Sequence, residues 1–179
     1  MGRSLIPVSK LMCIAATQQR YLVQQKAKYG LMLHPFTGSS LETAKAARIS
    51  EDHIAKAVVV KDVSDYAIIV IPASKWLKMD YLRFELNRDL QLATEDDIAD
   101  LFDDCERGAV PPLGPAYGIE TLLDVSLTGV ADVFFEAGDH ELLVHLRGDR
   151  FQTLLGDARR GYYSSTAGTC NDFFVTSCF

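Results

Sequence analysis

The chain has 179 residues, 48% of them hydrophobic and 23% charged, with a formal net charge of −6. That length suits one domain with a core of its own, and the balance excludes a disordered chain, which needs low hydrophobicity together with high net charge. The acidity argues against a surface that coats nucleic acid through basic side chains, although net charge describes the whole surface and not one face.

No stretch approaches the ~18 uninterrupted apolar residues of a membrane-spanning helix. The mildly apolar N-terminus is broken by Pro7, Ser9 and Lys10 and lacks a cleavage site of the signal-peptide kind. Cys13, Cys105, Cys170 and Cys178 form no C-x-x-C pair and no zinc-finger spacing with histidine. The expectation is free thiols in a cytoplasmic protein, with no metal and no other cofactor.

In chain order, residues 8–28 are rich in Gln, Ala and Lys and predict a helix that stops at Gly30. His34-Pro35 opens a turn, and Ser39 or Ser40 caps a helix over Leu41–Arg48, followed by a helical turn at Ser50-Glu51-Asp52. Ala55–Lys61 and Asp65–Ile71 are strands separated by a hairpin-length turn. Both are apolar on two faces, which predicts a sheet covered on both sides. Lys75–Asn87 reads as a helix with Leu77, Leu82 and Leu86 inward. Thr94 and Asp97 have the spacing of a capping box, with Asp in the place of Glu, for a helix over 95–102. The acidic run that begins there, through Asp100, Asp103, Asp104 and Glu106, reads as a solvated helix face. After a Pro/Gly loop from Gly108 to Gly118 come strands at Ile119–Asp124, Val133–Glu136 and Leu142–Leu146, then a helix near 149–157. The last stretch has turn-like composition.

Familiar catalytic motifs are absent: no phosphate-binding glycine loop, no H-E-x-x-H and no G-x-S-x-G. His34, His53, His140 and His145 lack the i,i+4 spacing of a helical metal site. Composition and spacing alone stop at an α/β protein.

Five separated segments carry a resemblance. They are His53–Asp62 with Lys56 leading an apolar strand, the strand end Ile69-Val70-Ile71-Pro72-Ala73-Ser74, and the Gly-x-x-x-Pro loop in Cys105–Gly114. Leu123–Leu127 and Phe135-Glu136-Ala137-Gly138-Asp139-His140 complete the set. In order and spacing, over roughly residues 30–156, they resemble the YbaK/prolyl-tRNA-synthetase-associated editing family. The resemblance implies a mixed, barrel-like sheet with flanking helices, and a division into an N-terminal helical extension (1–29), a mixed α+β domain (30–157) and a C-terminal tail (158–179). It also implies hydrolysis of the ester between a mischarged small amino acid and the 3′-terminal ribose of tRNA. Such editing is needed because one methylene gives a synthetase only about 1–3 kcal/mol of discrimination.

The resemblance assigns Lys56, Gly108, Pro112 and Gly114 to the reaction, and His34, Asp124, Gly138 and His140 to substrate binding. A cation at position 56 would bind phosphate or stabilise charge developing on the carbonyl oxygen; as a plain sequence feature it is a surface lysine that snorkels. Glycines in the loop let a ligand approach the backbone, and Pro111-Pro112 stiffen it; the ordinary alternative is a structural turn. Attack is expected to be assisted by the substrate's own groups, with no protein nucleophile, so the protein positions the ester and polarises its carbonyl. The expected partner is the acceptor end of aminoacyl-tRNA, and a synthetase is a second candidate partner. A basic strip of Lys75, Lys78, Arg83 and Arg88, or one of Arg147, Arg150, Arg159 and Arg160, would meet the RNA, with Trp76 available for stacking. Two rival readings remain open: a non-catalytic tRNA- or nucleotide-binding or regulatory module on the same fold, and a thiol hydrolase using Cys105.

Overall fold

A computed structural model describes residues 14–166. The first helix, α1 (Ala16–Gln24), is shorter than its composition predicts and buries Gln18 and Leu22; its predicted start lies outside the described residues. Gly30 does not end that helix but opens a strand, β1 (Gly30–Leu33). Next comes α2 (Ser40–Ala47), capped by the Ser39 side chain accepting from the Glu42 N–H at 3.3 Å and closed by Arg48 in the left-handed conformation. A short 3₁₀ turn, Glu51–His53, leads into β2 (Ala55–Lys61), whose bounds are those expected, and β3 (Tyr66–Pro72). Asp62 folds the turn between them by accepting from the backbone of Ser64 and Asp65 at 2.8 and 3.0 Å.

The helix predicted to begin at Lys75 starts later. Trp76–Leu77 form a short strand, β4, and α3 spans Met79–Leu86. The strand wins because Trp76 and Leu77 pair with the chain's last described strand, a partner invisible to local periodicity. After β5 (Gln91–Leu92), α4 (Glu95–Leu101) opens with the predicted Thr94/Asp97 capping box. The Pro/Gly loop contains one short helix, α5 (Gly114–Tyr117), and leads to β6 (Glu120–Asp124). Then follow β7 (Asp132–Glu136), β8 (Leu142–Arg147) and α6 (Gly148–Leu154). Residues of the expected tail join the body as β9 (Arg159–Gly161) and β10 (Ser164–Ser165).

The strands form a mixed sheet ordered β5-β2-β3-β6-β9, an antiparallel sheet ordered β1-β8-β7, and the β4–β10 pair. The architecture is mixed α+β, and none of these sheets closes into a barrel. Alternation along β2 and β3 sends Ala55, Val59, Ile68 and Val70 into a core shared with Phe135, Val144 and Phe151. Val58, Val60, Ile69 and Ile71 face a second core with Leu82, Leu90 and Tyr163. This two-sided burial accounts for strands that are apolar throughout.

β2 has an uneven pair of edges. Its inner edge pairs with β3 along all seven residues. Its outer edge meets Phe134 through a bridge at Ile54, and β5 only at Val60 and Lys61, with Ala93 N–H donating to Val59 O at 3.0 Å. Between those contacts, no strand among the described residues covers it.

Candidate active site

Beside that uncovered edge lies a cavity of about 320 Å³, at the small end of the range for ligand pockets. Its wall consists of β2 from Ala55 to Val59, the segment Leu92–Glu95 with Ile98, the loop residues Arg107, Gly108 and Val110, and Ser40 and Glu136. Lys56 and Gly108, which stand 52 positions apart in sequence, therefore share one cavity.

Lys56 is only 9% exposed. Its ammonium donates to the Ala73 carbonyl at 3.4 Å and lies 5.2 Å from the centre of the Trp76 ring. A carbonyl and an aromatic face both favour a cation. Trp76, half-buried in β4, thus meets the lysine.

The loop that carries Gly108 is tied down from the far side. Glu106 N–H donates to Gly138 O at 2.8 Å, and His140 Nε2–H donates to Arg107 O at 2.7 Å. His140 itself sits at φ +62° against the Phe36 ring, 93% buried. Gly108 has φ +87°, a conformation that L side chains rarely adopt. Arg107 spans the cavity mouth to Glu95 at 3.7 Å and Asp96 at 3.4 Å. That pair is largely exposed and worth little in stability.

The other candidates do not line the cavity. Gly138 and His140 hold the loop, as above. Gly138 also packs on the chain before α1, where an added Cβ would lie 2.9 Å from that of Ala15. Pro112 is buried in the chain before α5. Gly114 opens α5, and a Cβ there would fall 2.0 Å from Thr121 Oγ1. Asp124, 1% exposed, accepts from Ser126 N–H at 2.9 Å and from the N–H and hydroxyl of Ser164 at 2.8 Å, which fastens β10 to the end of β6. His34 is buried at the end of β1, with Nδ1–H donating to Pro35 O at 2.8 Å.

One lining residue has no role in the sequence reading. Glu136 ends β7, and its Oε1 accepts from the Thr43 hydroxyl at 3.3 Å. Burial pushes its carboxyl from the ordinary 4.5 up to about 7, against the Thr43 hydrogen bond and with help from the Asp139 charge. Alternation marks position 136 as facing away from the main core, as solvent-facing residues do. Only α2, packed over that face through Ala44 and Phe134, makes it an interior position.

The raised carboxyl has a consequence for stability. Between pH 4.5 and about 7 the folded chain keeps a proton that the unfolded chain has released, so stability falls as pH rises through that window. Glu136→Gln is expected to stabilise the protein at pH 8 by on the order of 1–3 kcal/mol and to change nothing at pH 4. Urea midpoints at the two pH values check this; a gain of equal size at both would contradict it.

Cys105 is the free cysteine of the described region, and its thiol is pushed up to about 12, by burial first and then by neighbouring acid. It holds almost no thiolate at neutral pH, which removes the chemical basis of a thiol hydrolase at this position. Several cations of the two candidate strips have acidic partners: Arg88 pairs with Asp62 and Glu120, Arg83 with Asp80, Arg147 with Asp149, and Arg159 with Glu85. Lys75 donates to Ser126. Among the described residues no group of three or more His, Cys, Asp or Glu side chains is arranged to hold a metal, and no helix is long and apolar enough to cross a membrane.

Solved structures share this fold. One, described as a candidate trans-editing enzyme for prolyl-tRNA synthetase, superimposes with a TM-score of 0.74 at 21% identity, covering 90% of this chain and 99% of that one. Another, a candidate signal transduction protein from Marinobacter aquaeolei VT8, gives 0.66 at 19% identity over 83% of this chain and 30% of the longer one. No curated protein matches the chain in sequence. These likenesses define the fold. The model of the aminoacyl-tRNA editing domain matches residues 34–154, and the chain belongs to that family.

Proposed function

We propose that the protein is a trans-editing deacylase that cleaves the ester between a mischarged small amino acid and the 3′-terminal ribose of tRNA. The observation that carries this reading is the shared cavity of Lys56 and Gly108. Attack on an ester carbonyl puts negative charge on its oxygen, and a fixed ammonium at low exposure stabilises that charge more than water would. A positive-φ glycine lets the backbone come close enough to contact the acyl group or ribose. Water adds to the carbonyl carbon, the bond to the ribose oxygen breaks, and that oxygen leaves with a proton. The products are free amino acid and uncharged tRNA.

The alanines at 55, 57 and 93 leave a short space between walls and support a small side chain on the substrate. The RNA itself would lie outside the cavity, and the cytoplasm, where tRNAs are charged, is the compartment this reading calls for. A synthetase that delivers the mischarged tRNA is compatible with it.

Single-turnover hydrolysis over a panel of tRNAs mischarged with alanine, serine, cysteine and larger residues tests the proposal. At least one small aminoacyl-tRNA is expected to be deacylated 100-fold faster than its spontaneous rate. Binding to the acceptor end with no acceleration for any member would favour the non-catalytic module instead.

A further inference from the structure

Five buried side-chain polar atoms lack a hydrogen-bond partner among the described residues. Three of them gather around the turn from β7 to β8: Glu136 Oε2, Asp139 Oδ2 and His34 Nε2. The two carboxyl oxygens are acceptors when ionised. Glu136 uses Oε1 on Thr43, and Asp139 uses Oδ1 on the N–H groups of Glu141 and Leu142 at 3.1 and 2.9 Å. His34 donates from Nδ1 to Pro35 O, so its unpartnered ring atom is Nε2. His34 N–H donates to Glu141 O at 3.0 Å, which brings the ring's backbone beside the Asp139 turn.

A buried polar atom left unpaired is costly. Two carboxyl oxygens in one place call for hydrogen-bond donors once they are ionised. Asp139 and His34 are each 7% exposed, so bulk water does not answer the demand. Glu136 is the member that also lines the cavity, whose wall includes Lys56. An aminoacyl ester presents both complements close together: a carbonyl that gains negative charge and, one carbon away, an ammonium with three donors.

Resting on the deacylase reading, we propose that Glu136 binds the α-ammonium of the aminoacyl group, with Asp139 reinforcing its negative field, so that the site selects esters with an uncapped amine. Glu136 is then a specificity-determining residue, and Lys56 acts on the carbonyl beside it. The neutral carboxyl favoured in the empty site ionises when the ammonium arrives, since an adjacent cation favours the charged form.

The test separates this inference from turnover by using amides that cannot be hydrolysed at the ester. The probes are 3′-amino-3′-deoxyadenosine acylated with alanine and the same compound acylated with lactic acid, which differ by an ammonium in place of a hydroxyl. Calorimetry on the full chain is expected to show the alanyl compound binding at least 10-fold tighter than the lactyl one. Glu136→Gln should reduce that ratio to within about 2-fold, and Glu136→Asp should retain part of it. Equal binding of the two probes by the parent, binding of neither, or an unchanged ratio in Glu136→Gln would each overturn the inference. Amine preference without turnover on any mischarged tRNA would sink the deacylase reading and leave this one standing; turnover without amine preference would do the reverse.

Discussion

Lys56→Met is expected to lower kcat/KM for deacylation by roughly 100- to 1,000-fold, the usual cost of losing one preorganised group that stabilises a carbonyl oxyanion. Methionine keeps most of the length and apolar stem of the side chain, so the Trp76 contact is preserved in outline while the charge is lost. Lys56 is only 9% exposed, so the melting temperature is measured beside the rate and activity is expressed per folded molecule. Most of the loss should appear in kcat, since the charge on the carbonyl oxygen develops only on the way to the transition state. A variant with parental kcat and parental stability would show that Lys56 is a bystander, and the proposed chemistry would fail with it.

Gly114→Ala should give the opposite pattern, a large loss of stability with activity per folded molecule preserved. The added methyl group would lie 2.0 Å from Thr121 Oγ1, 2.8 Å from the Ile119 carbonyl and 3.3 Å from Ile68 Cδ1. Thr121 cannot simply swing away, because its hydroxyl donates to Ile119 O at 3.0 Å and its strand is held between β3 and β9. Overpacking of this kind costs about 1–3 kcal/mol, and the backbone contact puts the cost at the upper end. For a chain of this size that is a fall of roughly 6–12 °C in Tm. Thermal unfolding together with single-turnover rates corrected for the folded fraction distinguishes the two outcomes. Should activity per folded molecule collapse while Tm holds, Gly114 belongs to the reaction and not to the support of α5.

The contrast between these two residues marks how far the sequence could be read. Local chemistry was fully legible where it acts locally. The Thr94/Asp97 cap needs only neighbours in the chain, as does the cap of α2, for which the sequence offers Ser39 or Ser40 and the structure uses Ser39. β1 escaped because a glycine after a helical run reads as a stop, whereas Gly30 pairs with His145, 115 positions away. β4 escaped for the same reason. Within the Gly-x-x-x-Pro loop, composition could not separate Gly108, which lines the cavity, from Gly114, which fits under a strand. The difference lies entirely in what folds back against each glycine. Glu136 is the clearest omission: a charged residue on the outward face of a strand is ordinary until a helix is known to cover it.

The bare flank of β2 bears on how such a protein stays out of trouble. Peptide groups without a neighbouring strand are normally a template on which another chain can grow, and proteins defend such margins with charge, proline or coverage. Here the uncovered stretch lies against the cavity walled by Ile98 of α4 and by Arg107 and Gly108, with Glu95 and Arg107 paired across it. Coverage by flanking elements is one of the defences open to such an edge.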